Sequence, residues 1–198
     1  MTTARDLVLI ALTMPPGELT GQGDLSLALA GAEAIDLLRN GSLRLERDRM
    51  VPGPQAASGD PLLDQASASL VRQEPYETVD DWLWRRAEGL VSAYADALER
   101  AGLVVRSHGH ALRLLSGKAV LTDSQERRAA EERRASGEPV LAGLLAALGQ
   151  LSDADDSLLG DAVTTVLAAV GDAVVQLEAV RLQRDVENAA FDNVWRGW

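Results

Sequence analysis

Residues Ser58–Asp64 read Ser-Gly-Asp-Pro-Leu-Leu-Asp, and this stretch marks the junction between a loop and a helix. Asp60 stands where a helix N-cap is expected, and Pro61 suits the first helical turn. Leu62 and Leu63 then supply two core positions. The stretch therefore predicts a structural role at the start of a helix.

Two helices and a hairpin are predicted before this stretch. Asp6–Met14 predicts a short helix, and apolar residues at helical spacing predict a second helix over Leu25–Leu38, which Asn40-Gly41 ends. Leu43–Glu46 alternates apolar with charged residues, as a half-buried strand does, and Met50–Val51 is its predicted partner.

Two more helices and a second hairpin are predicted after it. Leu62–Arg72 predicts a third helix, which Pro75 ends. Thr78 is the predicted cap of one long helix that continues to Arg100. Leu103–Leu115 then predicts a second β-hairpin.

The last third of the chain contains its most apolar segments. Thr122 opens a predicted charged helix over Gln125–Arg134, which is expected to be a solvated face. Val140–Leu151 is apolar on most faces and predicts a central buried helix, and Asp155–Asn188 predicts one long helix or two. The predicted core residues are Leu144, Leu145, Leu148, Val163, Val166, Leu167 and Val170. The sequence thus predicts a mainly α protein, a single helical domain over residues 1–198 with a central apolar helix and one or two short β-hairpins.

Charge and composition exclude several classes of function. The chain has a net charge of −11 and no cysteine, so we expect neither nucleic-acid binding nor disulfides nor thiolate chemistry. The apolar stretch Leu158–Leu177 contains Asp161 and Asp172, which a bilayer would accept only at a cost of several kcal/mol each. We therefore expect no transmembrane segment, and the N-terminus predicts no signal peptide.

Catalytic and metal-binding patterns are weak in this sequence. It contains no nucleophile motif and no phosphate-cradling glycine loop, so an enzyme is not expected. His108 and His110 lie on the predicted turn of the second hairpin without a nearby carboxylate, which is typical of a polar turn rather than a metal site. The acidic residues of Asp153–Asp156 indicate a helix start rather than a calcium loop. No cofactor is expected.

Four blocks in the same order resemble the Golgi phosphoprotein 3 family. Ser58–Asp64 is similar to the family's Thr-Gly-Asp-x-Leu-Leu-Asp segment, and Leu37–Leu43 is similar to its Leu-Arg-Gly-Arg-Leu segment. Glu77–Trp82 resembles Glu-Thr-Val-x-x-Trp, and Leu98–Leu103 resembles the family's helix end before a hairpin. The resemblance covers residues 5–121 and is only compositional beyond them.

This resemblance implies a non-enzymatic peripheral membrane protein that binds phosphatidylinositol 4-phosphate. In the family, arginines from two helices and an aromatic residue in a loop hold the headgroup. The matching arginine positions are Ala30, Glu88 and Val91 here, and no aromatic residue lies between Pro15 and Asp24. Losing two or more arginine contacts lowers affinity on the order of 10³-fold.

Three other arginines are the candidate lipid-binding residues: Arg39, Arg85 and Arg86. Arg85 and Arg86 lie about one helical turn before Glu88, so they are the cations nearest to the family pocket along the chain. The alternative is that both are solvated arginines on an exposed helix face. Convergence of the three side chains in one concave pocket would favour lipid binding, and separation would indicate that the ligand has been lost.

Three functional hypotheses follow. The first is a peripheral membrane adaptor that binds an anionic phospholipid headgroup at the cytoplasmic side. The second is a cytosolic interaction or scaffold protein that keeps the fold and lacks the lipid pocket. By resemblance, Leu103–Leu115 would also support a homo-oligomer. The third, a small-molecule or enzymatic role, has no residue that supports it.

Overall fold

The protein is described by a computed structural model that covers residues 2–15, 21–106, 119–150 and 159–195. These residues are mainly helical, as the sequence predicts, and the strands are confined to two hairpins. The helices are α1 (Thr3–Thr13), α2 (Gln22–Arg39), α3 (Pro61–Ser69), α4 (Val79–Arg86), α5 (Leu90–Arg100), α6 (Gln125–Ala135), α7 (Pro139–Ala147) and α8 (Asp161–Trp195). The strands are β1 (Leu43–Glu46), β2 (Arg49–Pro52), β3 (Val104–Arg106) and β4 (Ala119–Leu121).

Helix α2 is the centre of the fold. Its side chains are buried on nearly every face, and it packs against α1, α3, α4, α5, α7 and α8. Small residues such as Ala28, Ala32 and Ala34 allow this, because they let neighbouring helices approach closely from several directions. The prediction of an apolar, buried helix within Val140–Leu151 is confirmed, although α2 rather than this segment lies at the centre of the fold. That segment forms the shorter helix α7, buried against α1, α2 and α8, while Leu151 lies outside the described residues.

The junction at Ser58–Asp64 has the predicted capping structure. The Asp60 carboxylate accepts from the Leu62 N–H at 2.9 Å, and Pro61 is the first residue of α3. The Ser58 hydroxyl donates to Asp64 at 2.7 Å, which closes the turn before the helix. Helix α3 ends before the predicted Arg72, since the next residue after Ser69 is already extended.

The predicted long helix from Thr78 to Arg100 is wrong, because it is divided into α4 and α5. Thr78 caps α4 in a capping box with Asp81, as predicted. Gly89, however, has a φ of +68°, a left-handed conformation that a right-handed helix cannot include. The break redirects the chain, so that Trp82 of α4 and Tyr94 of α5 are both buried against α2.

The first hairpin matches its prediction, with Leu43 opposite Pro52 and Glu46 opposite Arg49. The second hairpin differs from its prediction in the strand that pairs with β3. Strand β3 pairs with β4, while the predicted partner Leu112–Leu115 lies outside the described residues.

The start of α6 also differs from its prediction. Thr122 extends the second hairpin rather than opening the helix, because its N–H donates to the Leu103 carbonyl at 3.0 Å. Ser124 caps α6 instead, and accepts from the Arg127 N–H at 3.1 Å.

Helix α8 is a single helix whose first half closes the core. Of the predicted core residues, five are buried and two, Val163 and Leu167, are half-buried against the core. By length and composition alone, Asp161–Asn188 would be long and apolar enough to cross a membrane. The first half of that segment packs on α2, α4 and α7, and it contains charged residues. The expectation that it does not span a membrane therefore stays a prediction.

We expect Gly31→Ala to lower the free energy of unfolding by about 1–3 kcal/mol, the usual cost of overpacking a core. A Cβ at Gly31 would lie 2.3 Å from Cγ2 of Val170, where α2 meets α8. Urea denaturation measures the change. Val170→Ala in the same chain should recover part of the loss, because it removes the clashing methyl group.

Gly171→Ala is the matched control for this prediction. It lies in the same helix pair, and a Cβ there would meet nothing within 4 Å. This variant should be as stable as the wild type or up to about 1 kcal/mol more stable. An unchanged stability for Gly31→Ala would contradict the close α2–α8 packing.

Candidate functional site

Two of the three positions that resemble the family's headgroup arginines are core positions. Ala30 of α2 is fully buried, and Val91 of α5 is 2% exposed. The Trp82 indole N–H donates to the Ala30 carbonyl at 3.2 Å, so α4 covers this part of α2. Glu88 is exposed and presents a carboxylate, which repels an anionic headgroup.

Arg85 is held on the outer face of α4. Its guanidinium donates to the Glu77 carboxylate at 2.7 Å and to the Ser69 carbonyl at 3.2 Å. The same group lies 5.2 Å from the centre of the Trp82 ring, a cation–π contact. Its donors are therefore used to tie α4 to the segment that precedes it.

Arg86 points the other way, into the core. It donates to both oxygens of Glu33, at 2.7 and 3.0 Å, and to the Leu62 carbonyl at 3.3 Å. The Tyr94 hydroxyl donates to the same carboxylate at 3.0 Å. Glu33 is fully buried, and burial raises the pKa of Tyr94, with the Glu33 charge adding to the effect. These residues form a buried polar network that joins α2, α3, α4 and α5.

Arg39 lies at the far end of α2. It donates to Glu138 at 2.9 Å and to the Thr3 hydroxyl at 3.4 Å. It lines a cavity of about 470 Å³ together with Asp6 and Arg133. Arg39 therefore ties α2 to the starts of α1 and α7.

The structure does not bring the three candidate arginines together. No described group accepts from more than one of Arg39, Arg85 and Arg86, and each is paired with a carboxylate of its own. Arg86 meets α2 about one helical turn from Ala30, but there Glu33 already neutralises it. Even if the match to the family is shifted by one helical turn, Arg86 is therefore not a free cation beside Ala30.

The cavity beside Arg39 contains buried carboxylates. Asp6 is fully buried and pairs with Arg133, while its Oδ1 has no hydrogen-bond partner. Burial raises the pKa of Asp6, and Arg133 opposes that shift. Burial likewise raises the pKa of Asp36, against hydrogen bonds from Thr3 and Ala4. Paired carboxylates and guanidinium groups make this cavity close to neutral, which is unlike an anion site.

We expect Glu138→Gln to lower the free energy of unfolding by about 1–2 kcal/mol near neutral pH, because Glu138 caps α7. Burial alone would raise the pKa of Glu138, but hydrogen bonds from Arg39 and the Leu141 N–H outweigh it and lower the pKa. A lowered pKa stabilises the fold above the unfolded value of 4.5 and ceases to do so as pH falls. Urea titrations at neutral and strongly acidic pH should therefore show a difference that shrinks with acid.

Glu132→Gln is the control for this pH dependence, because Glu132 is exposed on α6. We expect it to change stability by less than about 0.5 kcal/mol at either pH. Arg133 also pairs with Glu138, at 3.2 Å. A Glu138→Gln effect that stays the same in acid would contradict the charge pairing of Glu138 with Arg39 and Arg133.

A second cleft is the more favourable place for an anion. It has a volume of about 290 Å³ and lies between α1, the start of α3 and the second half of α5. Arg5 and Arg100 line it, with Gln65 and Asp60 among the other polar groups. Within the described residues no carboxylate pairs with Arg5, while the Asp60 carboxylate is engaged in capping α3. This cleft therefore presents two guanidinium groups beside one occupied carboxylate.

Sequence reasoning missed the buried network and the Arg5 cleft. The signal for the first was Glu33, flanked by alanines in the apolar middle of α2, because a carboxylate buried there requires a donor such as Arg86. The cleft had no sequence signal, because Arg5 and Arg100 are far apart in the chain.

Within the part of the chain that the structure describes, no three His, Asp or Glu side chains come together in a group that could hold a metal ion. His108, His110 and Asp153–Asp156 lie outside that part.

Comparison with known proteins supplies a family. The model of the Golgi phosphoprotein 3 (GPP34) family matches residues 4–191, which extends well beyond the blocks that carry the resemblance in sequence. No curated protein matches the chain.

Proposed function

The chain belongs to the Golgi phosphoprotein 3 family, and from this premise we propose that it is a non-enzymatic, cytoplasmic interaction protein that keeps the family's helical scaffold without its phosphoinositide pocket. The observation that carries the proposal is the burial of Ala30 and Val91, where the resemblance places two headgroup arginines. A side chain inside the core cannot contact a headgroup at the membrane surface.

The charges of the candidate arginines support the same proposal. A phosphoinositide headgroup carries several negative charges, and it is bound by guanidinium groups that have donors to spare. Arg85 and Arg86 each donate to an internal carboxylate and to a backbone carbonyl. Releasing either one for a lipid would leave Glu77 or Glu33 without its partner, and Glu33 is fully buried.

Long-range attraction to a membrane does not replace the missing contacts. The net charge of −11 repels an anionic bilayer, and salt at physiological strength screens local attraction beyond about 8 Å. A scaffold role requires no such attraction.

We expect that the wild-type chain will not float with phosphatidylcholine liposomes, and that adding phosphatidylinositol 4-phosphate to them will not change this. Flotation on a density gradient measures the bound fraction. Binding that requires the added lipid and is lost in Arg39→Ala, Arg85→Ala or Arg86→Ala would overturn the proposal. Circular dichroism on each variant shows whether such a loss comes from unfolding.

The second candidate function is peripheral phospholipid binding through the cleft that Arg5 and Arg100 line. Its support is the pair of guanidinium groups in a concave site of about 290 Å³. If this function holds, liposomes with an anionic lipid will bind the wild type, and Arg5→Ala combined with Arg100→Ala will reduce that binding. Arg184→Ala, exposed on α8, is the matched control for the loss of positive charge.

A further inference from the structure

The second half of α8 extends beyond the body of the protein. Helix α8 has 35 residues, which corresponds to a length of about 50 Å. Val174 is the last described buried side chain along it. Among the side chains of α8 that the structure describes, Arg181 is the last that forms an ion pair with the body, and it donates to Asp24 of α2 at 2.8 Å. Residues 182–188 are all exposed.

An apolar stripe runs along this projecting half. Val175, Leu182 and Val186 are 64%, 59% and 69% exposed, and Ala179 between them is exposed as well. Their spacing of four, three and four residues is the a/d repeat of a coiled coil. We call these four residues the α8 stripe.

The α8 stripe lies on a face that the described body leaves open. Arg181 marks the side of α8 that faces α2, and at 100° per residue the stripe is rotated about 100–160° away from it. Earlier on the same open face, Thr164, Ala168 and Asp172 are also exposed. A second helix could therefore lie along this face without meeting the first half of the molecule.

The residues that flank the stripe identify the occupant. Acidic residues, Glu178 and Asp185, follow one edge, and amides, Gln176 and Gln183, follow the other. In a parallel pair these two edges face each other, so that Gln183 of one copy can donate to Glu178 of the other. An antiparallel pair would set acid against acid.

A membrane suits the stripe less well than a second helix. Helices that lie in a membrane interface carry a basic polar face. Between residues 175 and 188 the charged residues are three acidic and two basic ones: Glu178, Arg181, Arg184, Asp185 and Glu187. Arg181 is already paired with Asp24, so the exposed charge of this segment is acidic.

We propose that α8 pairs with α8 of a second copy of this chain, in a parallel and in-register coiled coil through the α8 stripe. Asp172 occupies the next a/d position and ends the stripe, so the seam spans only about two heptads. The dimer is accordingly weak and forms with rising concentration. This pairing extends the proposed scaffold role, and because it uses no residue of the lipid candidates, its test is separate from liposome flotation.

Sedimentation velocity of the full chain over a range of concentrations tests the pairing. The wild type should shift from monomer to dimer. Leu182→Gln with Val186→Gln should weaken association by about tenfold or more, since four apolar side chains are removed from the seam of each dimer. Both residues are exposed, so the monomer fold should be unaffected. Val180→Gln is the matched control, because Val180 is exposed on the same helix outside the stripe and its change should leave association intact.

Disulfide trapping tests the orientation, since the chain has no cysteine of its own. In a parallel pair, Val175→Cys and Val186→Cys should each form a covalent dimer under mild oxidation, while Arg184→Cys should not. Cross-linking only in a mixture of the Val175→Cys and Val186→Cys proteins would overturn the parallel arrangement.

Two further results would overturn the pairing itself. One is a monomer at every concentration. The other is a monomer whose stripe binds phosphatidylcholine vesicles in a manner that Leu182→Gln abolishes, which would make the stripe a membrane surface. A dimer that the stripe variants leave unchanged would place self-association elsewhere and also contradict the proposal.

Discussion

We expect Glu33→Gln to lower the free energy of unfolding by about 3–5 kcal/mol, the cost of removing one partner from a buried ion pair. Glu33 is fully buried, and its carboxylate accepts from Arg86 at 2.7 Å and from Tyr94 at 3.0 Å. The substitution leaves the Arg86 guanidinium, which is 17% exposed, without a counter-charge. Urea denaturation followed by circular dichroism measures the loss.

Glu46→Gln is the control for the buried charge. Glu46 pairs with Arg44 at 2.9 Å, but both side chains are more than half exposed, so we expect a change of less than about 1 kcal/mol. If Glu33→Gln were as mild as Glu46→Gln, the Glu33 carboxylate would not hold Arg86. Arg86 would then be available to an anionic ligand, and the main objection to lipid binding would be removed.

We expect Trp82→Ala to lower the free energy of unfolding by about 3–5 kcal/mol, as removal of a large buried aromatic side chain does. Trp82 is fully buried, and its indole N–H satisfies the Ala30 carbonyl. The variant therefore leaves a cavity and an unpaired acceptor beside the central helix. The loss is measured from the same urea titration.

Trp84→Ala is the control that separates the cost of losing a buried side chain from the cost of losing any tryptophan. Trp84 lies on the same helix and is 38% exposed, so we expect a loss of less than about 1 kcal/mol. Trp82→Phe should be intermediate, because it keeps most of the volume and loses the hydrogen bond. Equal losses for Trp82→Ala and Trp84→Ala would contradict the closure of α4 over α2.

Local signals made much of the fold predictable. The Asp60 cap and the first hairpin depend on residues close in sequence, and both were predicted correctly. The division between α4 and α5 also had a local signal in Gly89, but the surrounding helical pattern obscured it. The closing strand of the second hairpin was placed too early, because short apolar runs do not fix how wide a hairpin is.

The candidate site was less predictable than the fold. Arg85 and Arg86 are adjacent in the sequence, which suggested a shared site. Their side chains nevertheless project from different sides of α4, Arg85 towards Glu77 and Arg86 towards Glu33. A helix turns by about 100° between neighbouring residues, so adjacent arginines do not share a pocket. Their partners lie on other elements, and no single-sequence pattern joins them.

Family membership and site chemistry carry different information about this chain. The match over residues 4–191 assigns the family, whereas a ligand depends on particular side chains in particular places. At the positions that resemble the family's headgroup arginines, this chain has two core residues and an exposed carboxylate: Ala30, Val91 and Glu88. The central claim is therefore that the scaffold has been retained and the phosphoinositide pocket has not.

The most direct test of that claim is selective flotation. Two sets of liposomes carry equal negative charge, one as phosphatidylinositol 4-phosphate and the other as phosphatidylserine, and the bound fraction of the wild-type chain is measured on each. We expect the two fractions to be equal and no higher than on phosphatidylcholine alone. A larger fraction on phosphatidylinositol 4-phosphate, lost in the Arg86→Ala variant while its circular dichroism remains native, would contradict the account.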